Sequence, residues 1–79
     1  MDRLEFVKGK IKEIDEQIGL KNWNLQDTQT NIRVNGDNNL GRKRAYKTEE
    51  YRLKRSLENL RRLKKYYLTQ EAELTNADP

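Results

Sequence analysis

The residues best suited to chemistry are the basic side chains in the second half of the chain. Between Arg42 and Lys65 there are eleven Lys or Arg residues and three Glu, a local net charge of +8. Lysines and arginines repeated along a helix bind phosphate groups without reading base sequence. We therefore expect an anionic partner, DNA or RNA first. The predicted contacts are Arg42, Lys43, Arg44, Lys54, Arg55, Arg61, Arg62 and Lys65.

Four tyrosines are interleaved with these cations: Tyr46, Tyr51, Tyr66 and Tyr67. A tyrosine ring can stack on an unpaired base, so basic residues with interleaved aromatics are typical of nucleic-acid binding. Tyr46 and Tyr67 also fit a hydrophobic helix stripe, which explains them without a ligand. The competing interpretation of the charges is a solvated helix face that only keeps the protein soluble.

Enzymatic chemistry has little support in this sequence. The chain contains no Cys and no His, which excludes thiol nucleophiles, imidazole acid/base catalysis and the usual zinc ligands. Gly36 to Lys43 has glycine spacing like a phosphate-binding loop but lacks its Lys-Ser/Thr pair. Asn35, Asp37 and Asn39 have calcium-loop spacing but lack the glycine and glutamate that such a loop needs. We expect no enzyme activity, no cofactor and no metal.

The composition also predicts the organisation and location of the chain. With 79 residues, of which 33% are hydrophobic and 38% charged, it suits a single elongated helical domain over residues 1–79. No apolar run is long enough for a signal peptide or a membrane span. We expect a cytoplasmic protein that does not enter a membrane.

Apolar residues in the first half recur at alternating spacings of three and four, which predicts an amphipathic helix over about 2–33. Gly19 and several Asn, Asp and Thr residues beyond it weaken the prediction for the second part of this helix. The stripe is formed by Leu4, Val7, Ile11, Ile14, Ile18, Leu25 and Ile32.

A second helix is predicted over about 44–74, with Thr48 as a candidate N-cap and Glu49 and Glu50 suited to the positive end of the helix dipole. A start near Arg44 is equally compatible. A loop over about 34–43 and a frayed tail over 75–79 complete the chain. The stripe of this helix is formed by Tyr46, Leu53, Leu60, Tyr67 and Leu74, widened by Leu57 and Leu63.

The two stripes match when the helices are laid antiparallel. Each pair is then equidistant from Asn39: Leu4/Leu74, Ile11/Tyr67, Ile18/Leu60, Leu25/Leu53 and Ile32/Tyr46. The layers between them oppose a charged residue to an apolar or small one: Val7/Glu71, Ile14/Lys64, Lys21/Leu57 and Thr28/Glu50. Such mixed layers predict a weak seam. An ion pair between Asp15 and Arg61 is expected at its edge. The predicted fold is an all-α antiparallel two-helix hairpin, similar to a coiled coil.

A helix, β-hairpin, helix arrangement is the alternative fold. Thr28, Thr30, Ile32 and Val34 alternate before Asn35-Gly36, a dipeptide that favours hairpin turns, so residues 28–46 also fit two short strands. This order of elements is the layout of small phage head-tail joining proteins, with which the chain shares no motif.

Several apolar residues lie off the main lines of the two stripes and predict a surface for a partner. A small chain without disulfides or metal commonly self-associates, so we expect a homo-oligomer, most simply a dimeric helical bundle. The same residues fit a different function, that of a protein-protein adaptor, inhibitor or structural assembly protein, for example a small phage-type accessory protein. They are Phe6, Leu20, Trp23, Leu63, Tyr66 and Leu68.

Overall fold

A computed structural model describes residues 2–35 and 40–76. Helix α1 runs over Arg3–Asn35 and helix α2 over Leu40–Asn76. The helices pack along each other into a rod of 63 × 15 × 15 Å. This confirms the all-α helical hairpin.

Asp2 caps the start of α1. The Glu5 backbone N–H donates to Asp2 Oδ1 at 2.8 Å, and the Phe6 backbone N–H donates to the Asp2 carbonyl at 3.1 Å. An aspartate at this position satisfies amide donors that have no partner inside the helix, and its charge complements the helix dipole.

The β-hairpin alternative is wrong, because every described residue between positions 28 and 46 is helical. Thr28 and Ile32 are four residues apart, so a helix turns both toward α2, where Thr28 is buried and Ile32 half-buried. Thr30 and Val34 are exposed, and the Thr30 hydroxyl donates to the Gln26 carbonyl at 2.9 Å. The packed helix therefore overrides the alternating pattern, and the phage layout has no counterpart here.

Both helices extend beyond their expected bounds into the segment predicted as a loop. The residues at its two ends, 34–35 and 40–43, are helical, whereas Asn35-Gly36 and the rest of the predicted turn fall partly on residues 36–39, outside the described chain. Thr48 is not an N-cap. Its hydroxyl donates to the Arg44 carbonyl at 3.0 Å inside α2, a bond that lets threonine occupy a helix interior. At the other end, α2 includes Asn76, and residues 77–79 lie outside the described chain.

The seam follows the antiparallel register predicted from the two stripes. In the nine layers from Leu4/Leu74 to Ile32/Tyr46, no residue is exposed. The inter-helix ion pair agrees with this register, although its partners differ from the prediction. Asp15 Oδ1 lies 2.6 Å from Lys64 Nζ and not beside Arg61, because Lys64 points from the seam toward the edge where Asp15 lies.

Four of the five buried residues in the described chain lie in the mixed layers, and the fifth, Leu53, lies in an apolar layer. Each mixed layer contains one buried residue, whereas most residues of the apolar layers are half-buried. A long charged side chain can lay its aliphatic stem over the residue opposite and keep its charge at the surface. The buried members of the mixed layers are Val7, Ile14, Thr28 and Leu57.

Candidate nucleic-acid interface

Seven cations occupy one continuous side of α2, between the seam edge and the outer surface. Helical geometry with 3.6 residues per turn places their Cβ atoms within roughly 120° around the helix axis. All seven side chains are exposed. We call this surface the basic face, and it comprises Arg44, Lys47, Lys54, Arg55, Arg61, Arg62 and Lys65.

The basic face is long and evenly spaced. Lys47, Lys54 and Arg61 are separated by seven residues each, which corresponds to about 10 Å along the helix, and Arg44 and Lys65 are about 32 Å apart along the axis. A straight row of cations with this spacing can follow the phosphates of an extended or helical backbone.

Glu58 is the one acidic residue in this sector of α2, so the face carries a net charge of +6. The Glu58 carboxylate pairs with the Arg62 guanidinium, and both side chains are more than half exposed. Such an exposed pair contributes at most about 1 kcal/mol and can be exchanged for a phosphate contact. Within the described residues, Lys54, Arg61 and Lys65 form no ion pair with an acidic side chain.

Tyr51 is the aromatic residue that lies within the basic face. Its side chain is 62% exposed, and Arg55 donates to its hydroxyl at 3.2 Å. The hydrogen bond holds a guanidinium beside the phenol and leaves the ring accessible for stacking. Tyr46 and Tyr67 are half-buried in the seam, so they are core residues. Tyr66 lies on another side of α2, where its ring packs edge-on against that of Tyr67 with the ring centroids 5.3 Å apart.

Two of the predicted phosphate contacts lie apart from the others. Lys43 is half-buried and continues the seam line by one layer, while Arg42 lies on the opposite flank of α2. Both belong to the first turns of α2, where a positive charge opposes the helix dipole. An exposed cation of the same segment, Arg52, also lies on the side of α2 away from the basic face. Sequence spacing can distinguish these three cations from those of the basic face only when the seam residues of α2 are already known.

All six apolar residues predicted for a partner surface are exposed, but they do not form one patch. Leu20, Leu63 and Tyr66 lie on the flank of the hairpin opposite the basic face, with Phe6 farther along it. The Phe6 ring is contacted by the Arg3 guanidinium and the Lys10 ammonium, each 5.5 Å from its centroid.

Two other exposed apolar residues lie elsewhere on the hairpin. Trp23 lies on the outer side of α1, and Leu68 borders the basic face. Val34, at the loop end of α1, is also exposed and was missed by the sequence prediction. The sequence pattern places Val34 in the predicted loop, although Val34 follows Phe6 and Leu20 at multiples of seven residues and therefore lies on the same side of α1.

Searches of protein-family models, of curated proteins and of solved structures find no match to this chain. The site is therefore defined by its geometry alone. Surface depressions such as the one lined by Gln26, Gln29, Thr30 and Arg33 are open grooves on α1. In residues 2–35 and 40–76, no group of three or more acidic side chains is placed to hold a metal ion, and neither helix is long and apolar enough to cross a membrane.

Proposed function

We propose that this chain is a non-enzymatic nucleic-acid-binding protein that contacts the phosphate backbone through its basic face. The observation that carries the proposal is a row of seven exposed cations with a single Glu among them. Phosphate contacts from such a row are independent of base sequence and sensitive to salt. Tyr51 adds an accessible ring for an unpaired base.

The test is a titration of the chain against labelled single-stranded and duplex oligonucleotides at two salt concentrations. If about four phosphates are contacted, the affinity falls roughly 50- to 150-fold between about 50 and 200 mM salt. Absence of binding to both oligonucleotides at the lower salt concentration contradicts the proposal.

A pair of charge-reversal variants separates the basic face from net charge in general. Lys54→Glu with Arg61→Glu lowers the affinity at least about 30-fold, because two phosphate contacts become repulsive. The matched control, Lys12→Glu with Arg33→Glu, reverses two exposed cations of α1 and changes the net charge equally. It lowers the affinity less than about threefold through the long-range field alone. Equal losses in both variants contradict a specific role for the basic face.

A protein-docking function is the second candidate, and Trp23 favours it. Its side chain is 65% exposed on the outer side of α1, and tryptophan is enriched at the centres of protein interfaces. In this case Trp23→Ala abolishes the function in cells, whereas charge reversal at Arg61 and Arg62 leaves that function intact. The opposite result favours nucleic-acid binding.

A further inference from the structure

The flank of the hairpin opposite the basic face is electrically balanced. It is formed by the outer positions that follow Arg3, Phe6, Arg42 and Ala45 at intervals of seven, and we call it the neutral face. Four cations and four carboxylates lie on it, so a second copy can approach without the repulsion that two basic faces would experience. These residues are Arg3, Lys10, Arg42, Arg52, Glu13, Asp27, Glu49 and Glu73.

The neutral face also exposes the apolar surface that the hairpin leaves uncovered. Leu63 is 44% exposed, and Leu20 and Tyr66 are more than half exposed. Two helices with a thin seam bury little apolar surface for their length, and small scaffolds of this kind are commonly stabilised by association. One side of a 63 × 15 Å rod has an area of about 900 Å², close to the roughly 800 Å² that each partner contributes to a standard interface.

The antiparallel register places opposite charges of this face at matching levels along the rod. Asp27 is level with Tyr51 and therefore about 1.5 Å along the axis from Arg52, and Arg3 is within about 3 Å of the level of Glu73. In the described structure Asp27 and Arg52 are exposed and form no ion pair with each other. They are placed to meet the complementary residues of another molecule.

We propose that a second copy of this chain docks on the neutral face, with a two-fold axis along the rod. Each α1 then lies against α2 of the partner, so neighbouring helices are antiparallel throughout a four-helix bundle. Asp27 meets the partner's Arg52 and Arg3 meets the partner's Glu73, while Leu20 and Leu63 both lie within the interface. The two basic faces point outward on opposite sides. This arrangement does not depend on the nucleic-acid function.

The test combines light scattering after gel filtration with a charge swap, and none of its measurements involves nucleic acid. The unmodified chain elutes with twice its own mass. Asp27→Arg or Arg52→Asp alone raises the dimer dissociation constant at least about tenfold, because like charges then face each other in two symmetric places. The double variant, Asp27→Arg with Arg52→Asp, restores the dissociation constant to within about threefold of its original value.

Glu16→Arg is the matched control, because Glu16 is an exposed acidic residue of α1 on its outer side. This variant leaves the dimer intact, and circular dichroism verifies that each variant keeps its helices. A monomer at about 100 µM, a trimer or larger assembly, or a double variant that remains as weak as the single ones overturns the proposal.

Discussion

The two flanks of the hairpin differ in charge and in exposed apolar surface, although both run along the same seam. The basic face of α2 carries seven cations and one Glu, whereas the neutral face balances four cations with four carboxylates and exposes Leu20, Leu63 and Tyr66. A strongly charged surface and a neutral, partly apolar surface are suited to different partners.

This difference between the flanks shows that a thin helical hairpin can present two chemically distinct surfaces. Because the seam occupies only a narrow strip of each helix, most of the helix surface is available for other contacts. Among residues 2–35 and 40–76, the ion pair of Asp15 with Lys64 is the one that connects the two helices. Each prediction below changes the seam or one of the two faces and measures the property that depends on it.

The largest effect is expected at the seam, on which both faces depend. Leu57→Ala removes a side chain that is only 2% exposed and lowers the free energy of unfolding by about 2 to 5 kcal/mol. Urea or thermal unfolding monitored by circular dichroism measures the change. Leu68→Ala is the control, because Leu68 is exposed and its loss is expected to stay below about 1 kcal/mol. Similar losses for both leucines would contradict the assigned seam.

The second prediction compares two leucines of equal exposure on different flanks of α2. Leu63 and Leu68 are 44% and 43% exposed, but only Leu63 lies on the neutral face. Leu63→Lys weakens self-association by about 100-fold, equivalent to about 2.7 kcal/mol, because the dimer interface then has to bury two lysine ammonium groups in place of two leucine side chains. Leu68→Lys leaves the mass unchanged. Sedimentation equilibrium measures both, and a loss of association in the Leu68 variant would contradict the assignment of the two flanks.

The smallest effect is expected from the ring within the basic face. Tyr51→Ala lowers the affinity for a single-stranded oligonucleotide by about 5- to 10-fold, or roughly 1 kcal/mol, because one stacking contact is lost. Tyr51→Phe keeps the ring and most of this affinity. Duplex binding changes less than about twofold in both variants, because paired bases are not available for stacking. A titration by fluorescence anisotropy checks this, and equal losses for single-stranded and duplex DNA would assign Tyr51 a merely structural role.

Much of the fold could be predicted from residue spacing. Leu25 and Leu53 were paired because both stripes repeat at sevens about Asn39, and neither residue is exposed. The same spacing placed Thr28 in the seam opposite Glu50, and Thr28 is buried. The pairing of Asp15 with Lys64 could not be predicted in this way, because it depends on how the lysine side chain lies across the seam, which residue type and spacing do not specify.

The candidate site shows the same division. Exposure of Leu20 and Trp23 followed from their positions off the stripes, and both side chains are exposed. The separation of Arg42 and Lys43 from the other cations did not follow, because α2 begins at Leu40, earlier than Thr48 or Arg44 suggested. Helix ends depend on local hydrogen bonds and packing, and spacing predicts them less well than helix interiors.

The sequence by itself determined that the chain forms two amphipathic helices and that α2 carries most of the positive charge, because both properties depend on residue type and periodicity. Only the tertiary structure decided which flank of α2 is basic and which is neutral. The spacing of residues gives only their relative directions around one helix. Packing against a second helix buries one strip and thereby defines the two exposed flanks.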